Sequence, residues 1–189
     1  KNLYQSFKTN PELFTKKIPL IQSNTIGANH LIWLNIPNGT YFYNIDFKSA
    51  YWQFAHKLGY INDKLYHRYM HDDNYKEAKR YCISFLARPN YTHYYGPGGE
   101  ITNTIECDTT IFKQAFENIR NSMYKLIQDA VGTTDKWISY NQDSVSVEFK
   151  ETGKVMHVFH EAGIEFKKNL CQKINNSEYK HGYKTKIFK

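Results

Sequence analysis

The chain has 189 residues, 41% of them hydrophobic, which is enough for one domain with its own core or one domain plus a small appendage. Lys and Arg outnumber Asp and Glu by 25 to 18, a formal charge of +7 that favours polyanionic partners without identifying them. Cys82, Cys107 and Cys171 are far apart and odd in number, which argues against a disulfide framework or a zinc cluster, and no apolar run is long enough to span a bilayer.

That cysteine usage fits a reducing cytosol, so the expected compartment is cytoplasmic, with no membrane partner. Lys1-Asn2-Leu3 lacks the apolar core of a signal peptide, and the missing initial Met suggests an excised domain or a processed product. Aromatic residues make up 16% of the chain, including 16 Tyr. Tyr among Lys suits a surface that stacks on bases, although most of these rings read as core.

Taken in order, residues 1–24 read as an N-terminal arm with Pro11 and Pro19. Ile26 to Leu34 and Thr40 to Ile45 are rich in β-favouring residues and are separated by Pro37-Asn38-Gly39, which predicts a hairpin whose second strand ends at Asp46. Tyr51, Phe54, Ala55 and Leu58 then follow i, i+3, i+4, i+7 spacing, a helix stopped by Gly59. Residues 63–87 fit two helices broken near Asp72-Asp73-Asn74.

Tyr91 to Thr102, around Gly96-Pro97-Gly98-Gly99, reads as a turn or hairpin. Asp108 or Thr109 is positioned to cap a long helix with the stripe Phe112, Phe116, Ile119, Met123, Leu126, Ile127 and Ala130. Trp137 to Tyr140 and Ser144 to Phe149 predict a second hairpin with Asp143 at its tip. Val155 to Ala162 reads as a helix closed by Gly163, Ile164 to Phe166 as a short strand, and residues 166–189 as a basic C-terminal tail. Helices set among antiparallel strands make the expected class α+β.

Asp46 and Asp143 are the candidate metal-binding carboxylates. Nucleotidyl transfer uses two divalent ions about 4 Å apart, held by carboxylates on neighbouring strand ends. These two aspartates lie just over half the chain apart, which leaves ample chain to bring their strands together. An isolated Asp at a strand end is ordinarily a turn or cap residue, so the surrounding residues decide.

Those surroundings resemble family B DNA polymerases, with a flavour of the protein-primed phage branch. Asp46-Phe47-Lys48-Ser49-Ala50-Tyr51 is similar to the family's first palm motif, although Trp52-Gln53 replaces its Pro-Ser end. Gly27 to Asn35 resembles the Gly-Gly segment upstream of that motif. Lys79 to Ala87 keeps the spacing of the fingers motif, with Lys79 and Ser84 as its identities. Tyr140-Asn141-Gln142-Asp143-Ser144 resembles Asp-Thr-Asp-Ser, with Asn141 where the family has its first Asp. The four segments stand in the family's order.

The resemblance implies a palm-like antiparallel sheet backed by helices at 25–62 and 88–165, with a short helical fingers insertion at 63–87. It implies a template-directed DNA polymerase acting on a DNA primer-template and dNTPs, with two Mg2+ ions, or Mn2+, on Asp46 and Asp143. A priming or replication protein would be a further partner, and a phage or mobile element the source. Tyr51 would stack beneath the incoming sugar. Phe47, Lys48, Arg68, Lys79, Arg80 and Ser84 would complete the nucleotide site, and Lys180, Lys184 and Lys186 would contact the primer. Two alternatives share the same palm. One is a retroelement-type reverse transcriptase, which the run Asp46 to Gln53 also resembles. The other is a catalytically silent palm that binds nucleic acid or a replication partner, which Asn141 favours.

Overall fold

The computed structural model describes residues 10–19, 26–87, 90–107 and 110–188. The strands are β1 (Gly27–Ala28), β2 (Tyr41–Phe47), β3 (Asn90–Tyr95), β4 (Ile101–Cys107), β5 (Trp137–Tyr140), β6 (Ser144–Glu148), β7 (Phe166–Lys173), β8 (Glu178–His181) and β9 (Lys184–Ile187). The helices are α1 (Pro11–Thr15), α2 (His30–Asn35), α3 (Ala50–Lys57), α4 (Asp63–Met70), α5 (Lys76–Ser84), α6 (Thr110–Val131) and α7 (Thr152–Glu161). The caps expected at Asp108 and Thr109 lie outside the described residues.

Seven strands form one sheet in the order β1-β5-β6-β2-β7-β8-β9, every neighbouring pair antiparallel. The class is α+β, a curled antiparallel sheet backed by helices. Within it, β2 and β5 flank β6, and β6 and β7 flank β2, with helices in the connections β2 to β5 and β6 to β7. Those are two interlocked split βαβ units. Their interlocking sets β2 beside β6, and with them Asp46 beside the β5–β6 turn.

Alternation along β2 explains which face is covered. Ile45 and Phe47 are buried in the main core with Val145 and Val147 of β6, under Ile119, Met123 and Ile127 of α6 and Val155 and Phe159 of α7. Each such apolar side chain contributes roughly 1.5–3 kcal/mol when fully buried. The opposite face, carrying Phe42, Asn44 and Asp46, is covered only in part. There α2 sets Trp33 and Ile36 on Phe42, Ile138 and Cys171.

The expected strand at Ile26 to Leu34 is a correction. Only Gly27 and Ala28 pair, and α2 begins at His30 because Asn29 accepts the Ile32 N–H at 3.2 Å. A side chain at Gly27 would run into the Tyr140 ring, which permits only glycine at that approach of β1 to β5. The expected basic tail is a second correction. Residues 166–172 pair with β2 along its whole length, and β8 and β9 extend the sheet. The expected hairpin after residue 90 forms a separate ribbon, β3–β4, outside the main sheet.

Residues 63–84 form α4, a single 3-10 turn at Asp73–Tyr75, and α5. The break falls where Asp72 accepts the Asn74 N–H at 3.0 Å, a local turn bond that competes with the helix. Lys79 reaches back across that break.

Candidate active site

Asp46 is the penultimate residue of β2, paired in register with Ser144 of β6, and the Phe47 N–H donates to the Asp143 carbonyl at 2.9 Å. The Asp143 N–H in turn donates to the Asn141 side-chain oxygen at 3.0 Å, and the Asn141 N–H to the Ser144 carbonyl at 2.9 Å. Asn141 therefore shapes the turn that presents Asp143. Burial and the neighbouring Asp46 charge both push the Asp143 carboxyl above its ordinary value, with Lys167 opposing them.

Both aspartates line a cavity of about 410 Å³ together with Phe47, Ser49, Tyr51, Lys76, Glu77, Lys79, Arg80 and Lys167. That size falls within the range of sites for small organic ligands. One wall is the first turn of α3, where the Trp52 and Gln53 N–H groups donate to the Ser49 carbonyl at 2.8 and 3.2 Å and the positive end of the helix dipole suits an anion. The chain enters this helix through Ser49, whose φ of 44° is the one positive value at a described residue other than glycine. Ser49→Val should lower the melting temperature by several degrees, because a β-branched side chain strains that backbone by about 1–3 kcal/mol. Calorimetry of the variant against the parent reads this directly.

Tyr51 stands beside the carboxylates, its ring stacked on Phe116 at 5.6 Å and an interplanar angle of 10°. Burial raises its phenol, so it stays protonated. The opposite wall is α5, where Lys76 and Arg80 are exposed and one turn apart.

The other expected nucleotide-site residues are placed differently. Lys79 is 6% exposed, and its ammonium donates to the carbonyls of Tyr69 at 2.8 Å and Met70 at 3.1 Å, which closes the end of α4. Only its flank faces the cavity. Lys48 is paired with Glu165 at 3.5 Å, Arg68 lies over the Tyr69 ring at 5.3 Å, and the Ser84 hydroxyl donates to the Tyr81 carbonyl at 3.2 Å. None of these three lines the cavity. The backbone N–H of Phe47 is taken by Asp143 and that of Lys48 by Glu165, so neither is open to a ligand.

The open face of the sheet continues from the carboxylates. Asn44 donates to the hydroxyls of Ser144 at 3.2 Å and Ser146 at 3.1 Å, and opposite it the buried Asn169 Nδ2 has no partner. Farther out, beyond β7, cross-strand register sets Lys184 beside His181 and Lys186 beside Tyr179 on the Asp46 face, while Lys180 alternates to the reverse. Burial and Lys186 both push the His181 imidazole down.

Sequence reasoning missed Lys76, Lys167 and His181. The i, i+4 spacing of Lys76 and Arg80 was a readable signal for the first. Lys167 had none, since its position depends on pairing with Asp46, and its ammonium lies 2.8 Å from Asp46 Oδ2. Among the described residues no cluster of three or more His, Cys, Asp or Glu is placed to hold a metal, and no helix is long and apolar enough to cross a membrane. No protein-family model, no curated protein and no solved structure matches the chain, which leaves the chemistry of this site as the ground for a functional reading.

Proposed function

We propose that the chain is the catalytic core of a template-directed DNA polymerase, transferring nucleotides from dNTPs to a primer 3′-hydroxyl. The observation that carries this reading is the meeting of two carboxylates, Asp46 near the end of β2 and Asp143 in the turn before β6, at a cavity walled by the cations Lys76 and Arg80. The donor set fits divalent ions. Two like charges are held close enough for Asp46 to raise Asp143, and oxygen-only donors suit Mg2+ or Mn2+. Bound there, such ions supply activation of the 3′-hydroxyl and neutralise charge on the triphosphate.

The chain's own residues then divide the work. Asp46 and Asp143 hold the ions. Arg80 and Lys76 meet the triphosphate from α5, taking the part first assigned to Lys79, while the first turn of α3 meets it from below. The ring of Tyr51, fixed on Phe116, offers a flat wall to the sugar. The polar strip of Asn44, Ser144 and Ser146 suits the primer backbone, with Lys184 and Lys186 farther out on β9 of the same sheet face.

A second reading is a nucleic-acid-binding module without catalysis, favoured by the lack of a third carboxylate where Asn141 stands. Primer extension separates the two. The parent chain should extend a primer with Mg2+ or Mn2+, and Asp46→Asn should reduce this at least about 100-fold while primer binding persists. Equal extension by Asp46→Asn would remove that carboxylate from the mechanism. No extension by the parent chain on DNA or RNA templates, with binding intact, would favour the binding module.

A further inference from the structure

We infer that Lys167 is a tethered competitor for the divalent cation at Asp46, an ammonium that must leave its carboxylate before a metal ion can take it. The inference rests on the polymerase reading of the two aspartates and adds a residue that the reading does not need.

The geometry starts from register. Lys167 lies directly opposite Asp46 across the β2–β7 pair, so the sheet backbone fixes where the lysine stem begins. From there the ammonium reaches within 2.8 Å of Asp46 Oδ2. The two partners differ in exposure. The lysine side chain is 54% exposed and the aspartate 22%, so the cation comes from the solvent side onto a carboxylate that is mostly enclosed. Among the described residues Asp143 makes no ion pair, so the counter-ion is placed on one carboxylate of the two.

A hard divalent ion coordinates a carboxylate oxygen at about 2.0–2.6 Å. An ammonium donating to the same oxygen occupies one of the carboxylate's lone pairs on the solvent side and repels an incoming ion as a like charge. Metal binding is therefore an exchange, in which a cation enters and Lys167 leaves. The flexible four-carbon stem allows this without moving the sheet, and the displaced head can find a phosphate of a bound substrate.

The pair is partly solvated, so its removal should change metal affinity modestly, by about five- to tenfold. The experiment is a Mn2+ titration of the whole chain, without nucleotide or nucleic acid, followed by calorimetry or by the loss of free-ion paramagnetic signal. Lys167→Gln should tighten Mn2+ binding by that factor, Lys167→Arg should stay near the parent, and Asp46→Asn should lose the site. Melting curves on each variant check folding, and the exposed position of Lys167 makes both substitutions tolerable.

Unchanged or weaker binding in Lys167→Gln, with the parent binding normally, would overturn the inference alone. So would Lys167→Arg behaving like Lys167→Gln, because the charge would then not be the cause. If neither the parent nor Lys167→Gln binds Mn2+, or if Asp46→Asn binds as the parent does, the metal reading of Asp46 falls and takes this inference with it.

Discussion

Asp143→Asn is expected to abolish nucleotide incorporation, by at least about 100-fold, and at the same time to raise the melting temperature at neutral pH. The two effects share one cause. Burial and the charge of Asp46 hold the Asp143 carboxyl above its ordinary value of 3.8, so ionising it costs the folded state more than the unfolded chain. A group raised in this way contributes stability that is fully present below the unfolded value and lost as pH rises through the folded one. At neutral pH the ionised Asp143 is therefore a net cost to folding, and the neutral amide removes it. The melting advantage of the variant should shrink as pH falls from the raised value towards 3.8 and vanish below it. Melting curves at pH 7 and near pH 3 measure this. A variant that melts below the parent at pH 7 would show that the two carboxylates do not repel as described.

Lys173→Met should cost about 3 kcal/mol of stability. The residue is 1% exposed, and its ammonium donates to the carbonyls of Trp33 and Ile36, each at 2.7 Å, while lying 4.9 Å from the centre of the Trp33 ring. These carbonyls end α2, which Pro37 prevents from continuing, so the lysine does the work of a C-terminal cap from a distant strand. Methionine fills much of the same space and leaves both carbonyls without a donor. The expected loss corresponds to a fall in melting temperature of about 6–12 °C for a chain of this size. Since Trp33 stacks on Phe188 at 4.2 Å and meets Phe42 edge-on, near-ultraviolet circular dichroism should report the loosening as well. A drop under about 2 °C would mean that water satisfies the freed carbonyls.

Some of this architecture is legible in residue order alone. The spacing of Tyr51, Phe54, Ala55 and Leu58 identifies α3, and the long apolar stripe from Phe112 to Ala130 identifies α6, because each repeats with the helical period. Asn141-Gln142-Asp143 between two β-like runs identifies the β5–β6 turn. By contrast, His30 to Asn35 contains Leu, Ile and Trp, which serve a strand as well as a helix, and the bond from Ile32 to Asn29 decides between them. β7 carries lysines on both faces, and β8 and β9 are only four residues each, so none of them shows an alternation long enough to announce a strand. Their pairing to β2 comes from long-range register.

The site divides along the same line. Asp46, Asp143, Tyr51 and Arg80 stand in segments that can be singled out locally, and the pairing of β2 with β6 brings the two carboxylates to the one cavity that all four line. Lys79 was legible as a position but not as a role, since the carbonyls that bind its ammonium belong to the end of the preceding helix. Lys167 depends wholly on which strand lies next to β2.

The two outer strands of the described sheet are unlike the rest. β1 is only two residues long, and β9 is a fully exposed strand that alternates Lys184 and Lys186 with Thr185 and Ile187. A row of unpaired backbone groups invites another chain to add itself, and such growth leads to fibrils. Here one rim offers almost no backbone to copy, and on the other a second molecule would have to bring its own lysines against these. The lysines that β9 sets on the Asp46 face of the sheet thus also keep one molecule from templating the next.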